Sequence, residues 1–237
     1  MSRGSRLARF VSLPALDPVL SILPEPQAAL WPRLGDIPEQ FVLYGGTALA
    51  LRLGHRQSVD FDFFAAAEFS PAGLLRDLGW LGRLDVVDMG DNSLVVIEPG
   101  GVQLAFYGGL RLQAVAEQSL APDNGLVVAS VFDLAGAKAK AILDRSEWRD
   151  HVDIATLLDA GHDLADIIGY ATAIFDRLFA FPAPVFLRNL VWFRDGTAPD
   201  VPDGARRVLE SAVRAIDLAD IPLVEPFRGT IAPDGRG

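Results

Sequence analysis

The sequence predicts an α/β (α+β) chain, with a small mixed sheet in its first half followed by a helical second half. Three observations predict this. Between Phe41 and Gly108, short runs of β-branched and aromatic residues are broken by clusters of glycine, proline and asparagine. From Val131 onward, apolar and charged residues alternate at helical spacing instead. Half of the 237 residues are hydrophobic, which is enough to fill a core in each half. The expected division is a sheet domain with a Pro-rich N-terminal segment over residues 1–127, and a mainly helical domain over 128–237 that completes the cleft.

The elements follow in order. Pro14, Pro18, Pro24, Pro26, Pro32 and Pro38 crowd the start, so short helices or turns between prolines are expected there. FVLYGG is a strand running into a glycine turn. TALALRLG then forms a helix of about two turns over residues 47–53, with Thr47 near its start and Gly54 ending it. SVDFDFF returns as a strand over residues 58–64. Ser70 followed by Pro71 opens the next helix, as a cap and a first-turn proline. LDVVDMGDNSLVVIEPGGVQLAFYG supplies two or three strands, broken at Gly90-Asp91-Asn92 and at Pro99-Gly100-Gly101. VFDLAGAKAKAILDR, RDHVDIATLLDAG, DLADIIGYATAIFDRLF and PDGARRVLESAVRAIDLAD are the helices of the second half. Arg188 to Asp203 is a connector, and the last dozen residues form a loose tail. There is no internal repeat.

Composition narrows the chemistry. With no cysteine and three scattered histidines, thiol nucleophiles, disulfides and zinc-thiolate sites are excluded, and a metal would be hard and oxygen-ligated. A formal charge of −10 gives no general attraction to a polyphosphate, so nucleic acid would need a local basic patch or a metal bridge. No apolar run reaches the roughly 18 residues of a membrane span and no signal-peptide core is visible, so a cytoplasmic location and no membrane partner are expected.

The most informative stretch is YGGTALALRLGHRQSVDFDFF, Tyr44 to Phe64. On a strand, Asp60 and Asp62 point to one face, with roots roughly 6 to 7 Å apart, while Phe61 and Phe63 point to the other. Two neighbouring carboxylates repel unless a cation lies between them, and Mg²⁺ is typically held by one or two carboxylates plus substrate phosphates. Exposed aspartates on an edge strand are the plainer alternative. The preceding segment favours the metal: Gly45 and Gly46 let backbone approach a ligand, and the helix after them directs free N–H groups at an anion. Thr47 either caps that helix or donates to a phosphate. Arg56 can clamp a phosphate with its fork of donors.

Gly45-Gly46-Thr47, Leu53-Gly54-His55-Arg56 and Ser58-Val59-Asp60-Phe61-Asp62-Phe63-Phe64 together resemble the AbiEii-type nucleotidyltransferase toxins, within the superfamily that includes DNA polymerase beta. The resemblance continues through FDLAGAKAKAILDRSEWRDHVDIATLLDAG, where Lys138, Arg145, Asp150 and Asp153 match the family's second block. It spans roughly residues 37 to 170. It implies Asp60 and Asp62 as ligands of Mg²⁺ or Mn²⁺, and Gly45, Gly46, Thr47, Arg56, Ser58 and Arg145 as contacts to an NTP. Lys138 and Asp150 join the two aspartates as catalytic residues. The implied reaction moves a nucleotidyl group to an RNA, especially the 3′ end of tRNA, and a neighbouring gene for a cognate antitoxin is implied as well.

Helical geometry agrees, since Lys138 and Arg145 are seven apart and share a face, while Lys140 points elsewhere. Asp150 either orients Lys138 or acts on an acceptor hydroxyl. One feature departs from the superfamily: VQLAFYG presents Gln103, Ala105 and Tyr107 on one face, where a third metal carboxylate is expected. Glu98, Asp88 or Asp85 substitutes from a neighbouring element, or two aspartates suffice. Rival classes are a protein acceptor, a nucleotide-binding regulator that has lost catalysis, and a kinase. The last is disfavoured because no Gly-x-x-x-x-Gly-Lys run and no kinase catalytic loop are present.

Overall fold

The computed structural model describes residues 15–175 and 178–227, so most of the expected C-terminal tail lies outside the described residues. The fold is mixed α/β, and the chain divides into two compact units. Among the described residues, one comprises 15–111 and 117–130, and the other 112–116 and 131–227.

The first unit is built on a seven-stranded mixed sheet. Its strands are β1 (Val42–Tyr44), β2 (Phe61–Phe64), β3 (Asp85–Met89), β4 (Ser93–Ile97), β5 (Gln103–Tyr107), β6 (Ser119–Leu120) and β7 (Val127–Val128), in the spatial order β3-β4-β5-β2-β1-β7-β6. Strand β2 runs antiparallel to β1 and parallel to β5, with Tyr44 opposite Asp62 and Asp62 beside Ala105. The helices are α1 (Glu25–Leu34), α2 (Gly45–Leu53) and α3 (Pro71–Asp77). On one face of the sheet Phe61, Phe63 and Phe106 are fully buried, and Phe63 stacks on Phe106 at 4.9 Å. Burying three such rings contributes on the order of 2 to 3 kcal/mol each, which anchors the register of β2 against β5.

Local chemistry explains the boundaries. Helix α1 is longer than the proline spacing predicts: it starts with Pro26 in its first turn and carries Pro32 inside, held by the buried stripe Gln27, Leu30, Trp31 and Leu34. Helix α2 ends where Gly54 takes a left-handed φ of 61° and its N–H caps the Ala50 carbonyl at 2.8 Å. Arg52 donates to the Ala129 carbonyl through Nε at 3.0 Å, which ties the last turn of α2 to the segment after β7. Ser70 caps α3 as expected, accepting from the Gly73 N–H at 3.2 Å. Both short strands β6 and β7 escape sequence reading, since two residues carry no period.

The second unit is helical, with α4 (Val131–Asp144), α5 (Trp148–Asp159), α6 (Leu164–Phe175), α7 (Ala183–Leu190) and α8 (Asp203–Ala215). Helix α4 packs on α5, α6 and α7, and α5 packs on α8. The expected connector from Arg188 is in part the end of α7, where Phe186 and Leu190 are fully buried. His151 lies in the core, with Nδ1 3.0 Å from the Glu147 carbonyl.

Candidate active site

Two clusters hold the expected residues, one in each unit. The first is assembled around the start of α2. This helix begins at Gly45, two residues earlier than predicted, and no side chain caps it. Its first four amides, Gly45 to Ala48, therefore lack intrahelical partners and point to the end of β1. Gly45 has φ 75°, in the left-handed region that a side chain disfavours. Its α-carbon is overlaid by Asp62: a methyl group added there would sit 3.1 Å from Asp62 Cγ and run into Oδ2. A methyl at Gly46 would lie 2.8 Å from Arg56 Nη2 and 2.9 Å from Ser58 Oγ. Backbone amides, one carboxylate, one guanidinium and one hydroxyl thus meet at a two-residue glycine turn.

A consequence is testable. Gly45→Ala is expected to cost at least about 1 to 2 kcal/mol through the left-handed backbone, and to displace Asp62 besides. Urea unfolding would measure it, and an unchanged midpoint would contradict the packing described.

Asp60 differs from expectation. Strand β2 starts at Phe61, and the Asp60 carbonyl is held outside the ladder by the Thr47 hydroxyl, which donates to it at short range. Thr47 is fully buried, so its side chain latches helix to strand and neither caps α2 nor faces a ligand. Gln27 completes the latch, with Nε2 3.4 Å from Thr47 Oγ1 and 3.5 Å from the Asp60 carbonyl. This residue went unread in the sequence. Its signal was a polar side chain on the otherwise apolar stripe of α1, a position that is satisfied by a partner when buried.

The third carboxylate is not supplied by the candidates named. Asp88 pairs across to Val95 and Val95 to Ala105, so Asp88 stands three strands from Asp62, about 14 Å at ordinary strand spacing. Asp85 pairs with Ile97 and Ile97 with Gln103, which leaves it equally far out. Glu98 is used in its own turn, accepting from the Gly100 N–H at 2.6 Å. Among the described residues, no group of three or more acidic or histidine side chains is gathered for a metal. Of the two expected ligands, Asp62 is the one placed at the glycine turn; with Asp60 it would make an all-oxygen pair suited to a hard cation shared with substrate phosphates. Tyr107, on the Asp62 face, is held as a neutral phenol, because burial and then the Asp62 and Asp88 carboxylates raise its pKa above the ordinary value.

The second cluster joins α4 to α5. Lys138 is buried, and its Nζ lies 2.8 Å from Asp150 Oδ1 and 2.7 Å from Asp153 Oδ2. Arg145, largely exposed, adds Nε 2.8 Å from Asp150 Oδ2. Burial alone would raise the Asp150 pKa, but the Lys138 ammonium and the Arg145 hydrogen bond outweigh it and hold the pKa below the ordinary carboxylate value. A buried, doubly paired carboxylate of lowered basicity is a poor proton acceptor, so Asp150 fits the orienting role better. Lys140 does point elsewhere, pairing with Asp144 one turn on.

Comparison with known proteins gives a family match mostly within the first unit and broader likenesses over most of the chain. The family model for the nucleotidyl transferase AbiEii toxin of type IV TA systems matches residues 33–124. The uncharacterized protein aq_aa25 of Aquifex aeolicus (strain VF5) is 29% identical over 162 residues, covering 67% of this chain and 76% of that protein. Two solved structures have a similar fold. JHP933 from Helicobacter pylori superposes with a TM-score of 0.51 at 18% identity, over 81% of this chain and 92% of its own. A candidate nucleotidyltransferase from H. pylori gives 0.51 at 17% identity, over 79% and 91%. The matched segment contains β1, α2, β2 and β5, and with them Gly45, Gly46, Arg56, Ser58, Asp60 and Asp62; it ends before Lys138. The likeness to the AbiEii-type nucleotidyltransferase toxins thus lies in residues 33–124.

Proposed function

We propose that the protein moves a nucleotidyl group from an NTP to the hydroxyl of an RNA, such as the 3′ end of tRNA, as the toxin of a toxin–antitoxin or abortive-infection system. The observation that carries this reading is the Asp62 carboxylate set against the N-terminal turn of α2, with Arg56 and Ser58 gathered on Gly46. In this reading the free amides of α2 seat the β- and γ-phosphates, and the Arg56 fork clamps them. Thr47, fully buried, holds the start of α2 to the Asp60 carbonyl. Asp60 and Asp62 would hold Mg²⁺ or Mn²⁺, which when bound polarises the α-phosphate and lowers the pKa of the attacking hydroxyl. The acceptor oxygen bonds to the α-phosphorus as the bond to the bridging oxygen breaks; pyrophosphate leaves and the hydroxyl proton passes to water. The family resemblance assigns Lys138, Asp150 and Arg145 to the reaction as well; in the structure they form an ion-pair cluster of the second unit. The same family reading implies a cognate antitoxin encoded nearby. A cytoplasmic site of action suits an NTP and RNA, and among the described residues no helix is long and apolar enough to cross a membrane.

The test uses the purified protein, Mg²⁺ or Mn²⁺, each labelled NTP in turn, and total RNA with cell protein as acceptors. Label is expected in a small RNA. Label found only in protein would replace the acceptor and keep the chemistry. NTP binding without transfer to either would establish the regulator instead.

A further inference from the structure

The order of the strands assigns sides to the first unit's site. Helix α2 and its phosphate-seating amides follow β1, on one side of β2. On the other side lies β5, which places Ala105 beside Asp62 and Tyr107 beside Phe64. In an in-line displacement the nucleophile enters opposite the leaving group. If pyrophosphate leaves toward α2, the acceptor hydroxyl enters over β5.

An aromatic row crosses the Asp62 face from β1 through β2 to β5. Tyr44 stacks on Phe64 at 4.9 Å and 19°, and Phe64 meets Tyr107 at 5.9 Å and 75°. Exposure rises along the row: Tyr44 is 3% exposed, Phe64 is half-buried and Tyr107 is 36% exposed. Its outer ring is therefore braced by a neighbour's edge and still open to solvent. Ala105 and Phe64 flank the diagonal of about 8 Å from Tyr107 to Asp62; Ala105 is covered, so the exposed surface at this end of the sheet is the Tyr107 ring itself.

We infer that Tyr107 is the stacking surface for the unpaired terminal base of the acceptor RNA, and that Phe64 and Tyr44 hold its ring in place. An exposed aromatic ring next to a phosphoryl-transfer site suits a nucleobase, because every base has a π-face and single-stranded ends are recognised by stacking. A peptide acceptor is gripped differently, by adding a strand to a free sheet edge. Strands β2 and β5 are each paired on both sides, so they offer no such edge at Asp62.

This inference rests on the transferase reading for its sense of direction, but its test does not. The probe is a short single-stranded RNA ending in 2-aminopurine, whose fluorescence is quenched by stacking, titrated with protein in the absence of NTP. Tyr107→Ala and Tyr107→Leu are expected to weaken binding about 5- to 150-fold, and Tyr107→Phe to leave it within about threefold. Leucine keeps the apolar bulk and removes only the π-face, so it separates stacking from packing. In transfer assays the same variants should raise the KM for RNA and leave NTP affinity unchanged. Wild-type binding that Tyr107→Leu does not weaken would overturn the inference, as would no binding by the wild type, or an equal loss of NTP affinity. Should the wild type bind the probe through Tyr107 yet transfer nothing, the stacking surface stands and the transferase reading falls. If it labels RNA with a KM that Tyr107→Ala leaves unmoved, the reverse holds.

Discussion

Asp62→Asn is expected to reduce nucleotidyl transfer by at least about a hundredfold while the protein remains folded. The carboxylate does two things at one place: it would ligate the cation and it packs on Gly45 at the start of α2. An amide keeps the size and the packing but not the charge. Stabilisation of a phosphoryl oxygen by a bound cation amounts to several kcal/mol, and about 1.4 kcal/mol is a factor of ten in rate. The stability cost is far smaller. A carboxylate at a helix N-terminus is worth about 0.3 to 1 kcal/mol, and removing one of two like charges returns part of that. Initial rates measured across a range of Mg²⁺ and Mn²⁺, together with urea unfolding, separate the two effects. A variant that keeps a tenth of the activity would remove Asp62 from the chemistry.

The largest stability effect is expected at Lys138. Its ammonium is bonded by two carboxylates whose side chains are 1% and 0% exposed. Breaking a buried ion pair by deleting one partner typically costs about 3 to 5 kcal/mol, because the remaining charge stays buried. Lys138→Met should fall in that range, and adding Asp153→Asn should restore part of it.

The pH dependence supplies a second signature. The Asp150 pKa is lowered in the folded protein, so in the wild type its contribution is present above the unfolded value, about 3.9, and is lost as pH falls through the folded value. Without Lys138, burial pushes the Asp150 carboxyl upward and favours its neutral form. The deficit of Lys138→Met relative to wild type should therefore be greatest near about pH 7 and shrink toward about pH 4. Urea unfolding at several pH values would show it. A deficit that is small, or that does not change with pH, would mean that the network contributes little. Transfer by Lys138→Met has to be read against this loss, and Lys138→Arg, which keeps the charge, helps to separate the two.

What could be read locally was read. Alternation in FDFF put Phe61 and Phe63 in the core and Asp62 on the other face, because side-chain direction on a strand depends only on the residue's place along it. The glycine pair marked the turn at the start of α2 on which Asp62, Arg56 and Ser58 gather, and the seven-residue spacing put Lys138 and Arg145 on the side that meets Asp150. Other features depend on pairing between distant segments, which no local pattern encodes. Asp60 falls outside β2 because Thr47 and Gln27, from two different helices, take its carbonyl. Distance across the sheet removes Asp85 and Asp88 from the metal set, and strand order puts Tyr107 beside Phe64. The burial of Lys138 between two aspartates likewise comes from α4 packing on α5. Residue type and spacing are properties of one segment, whereas register, burial and hydrogen-bond partners belong to pairs of segments and exist only once the chain has folded.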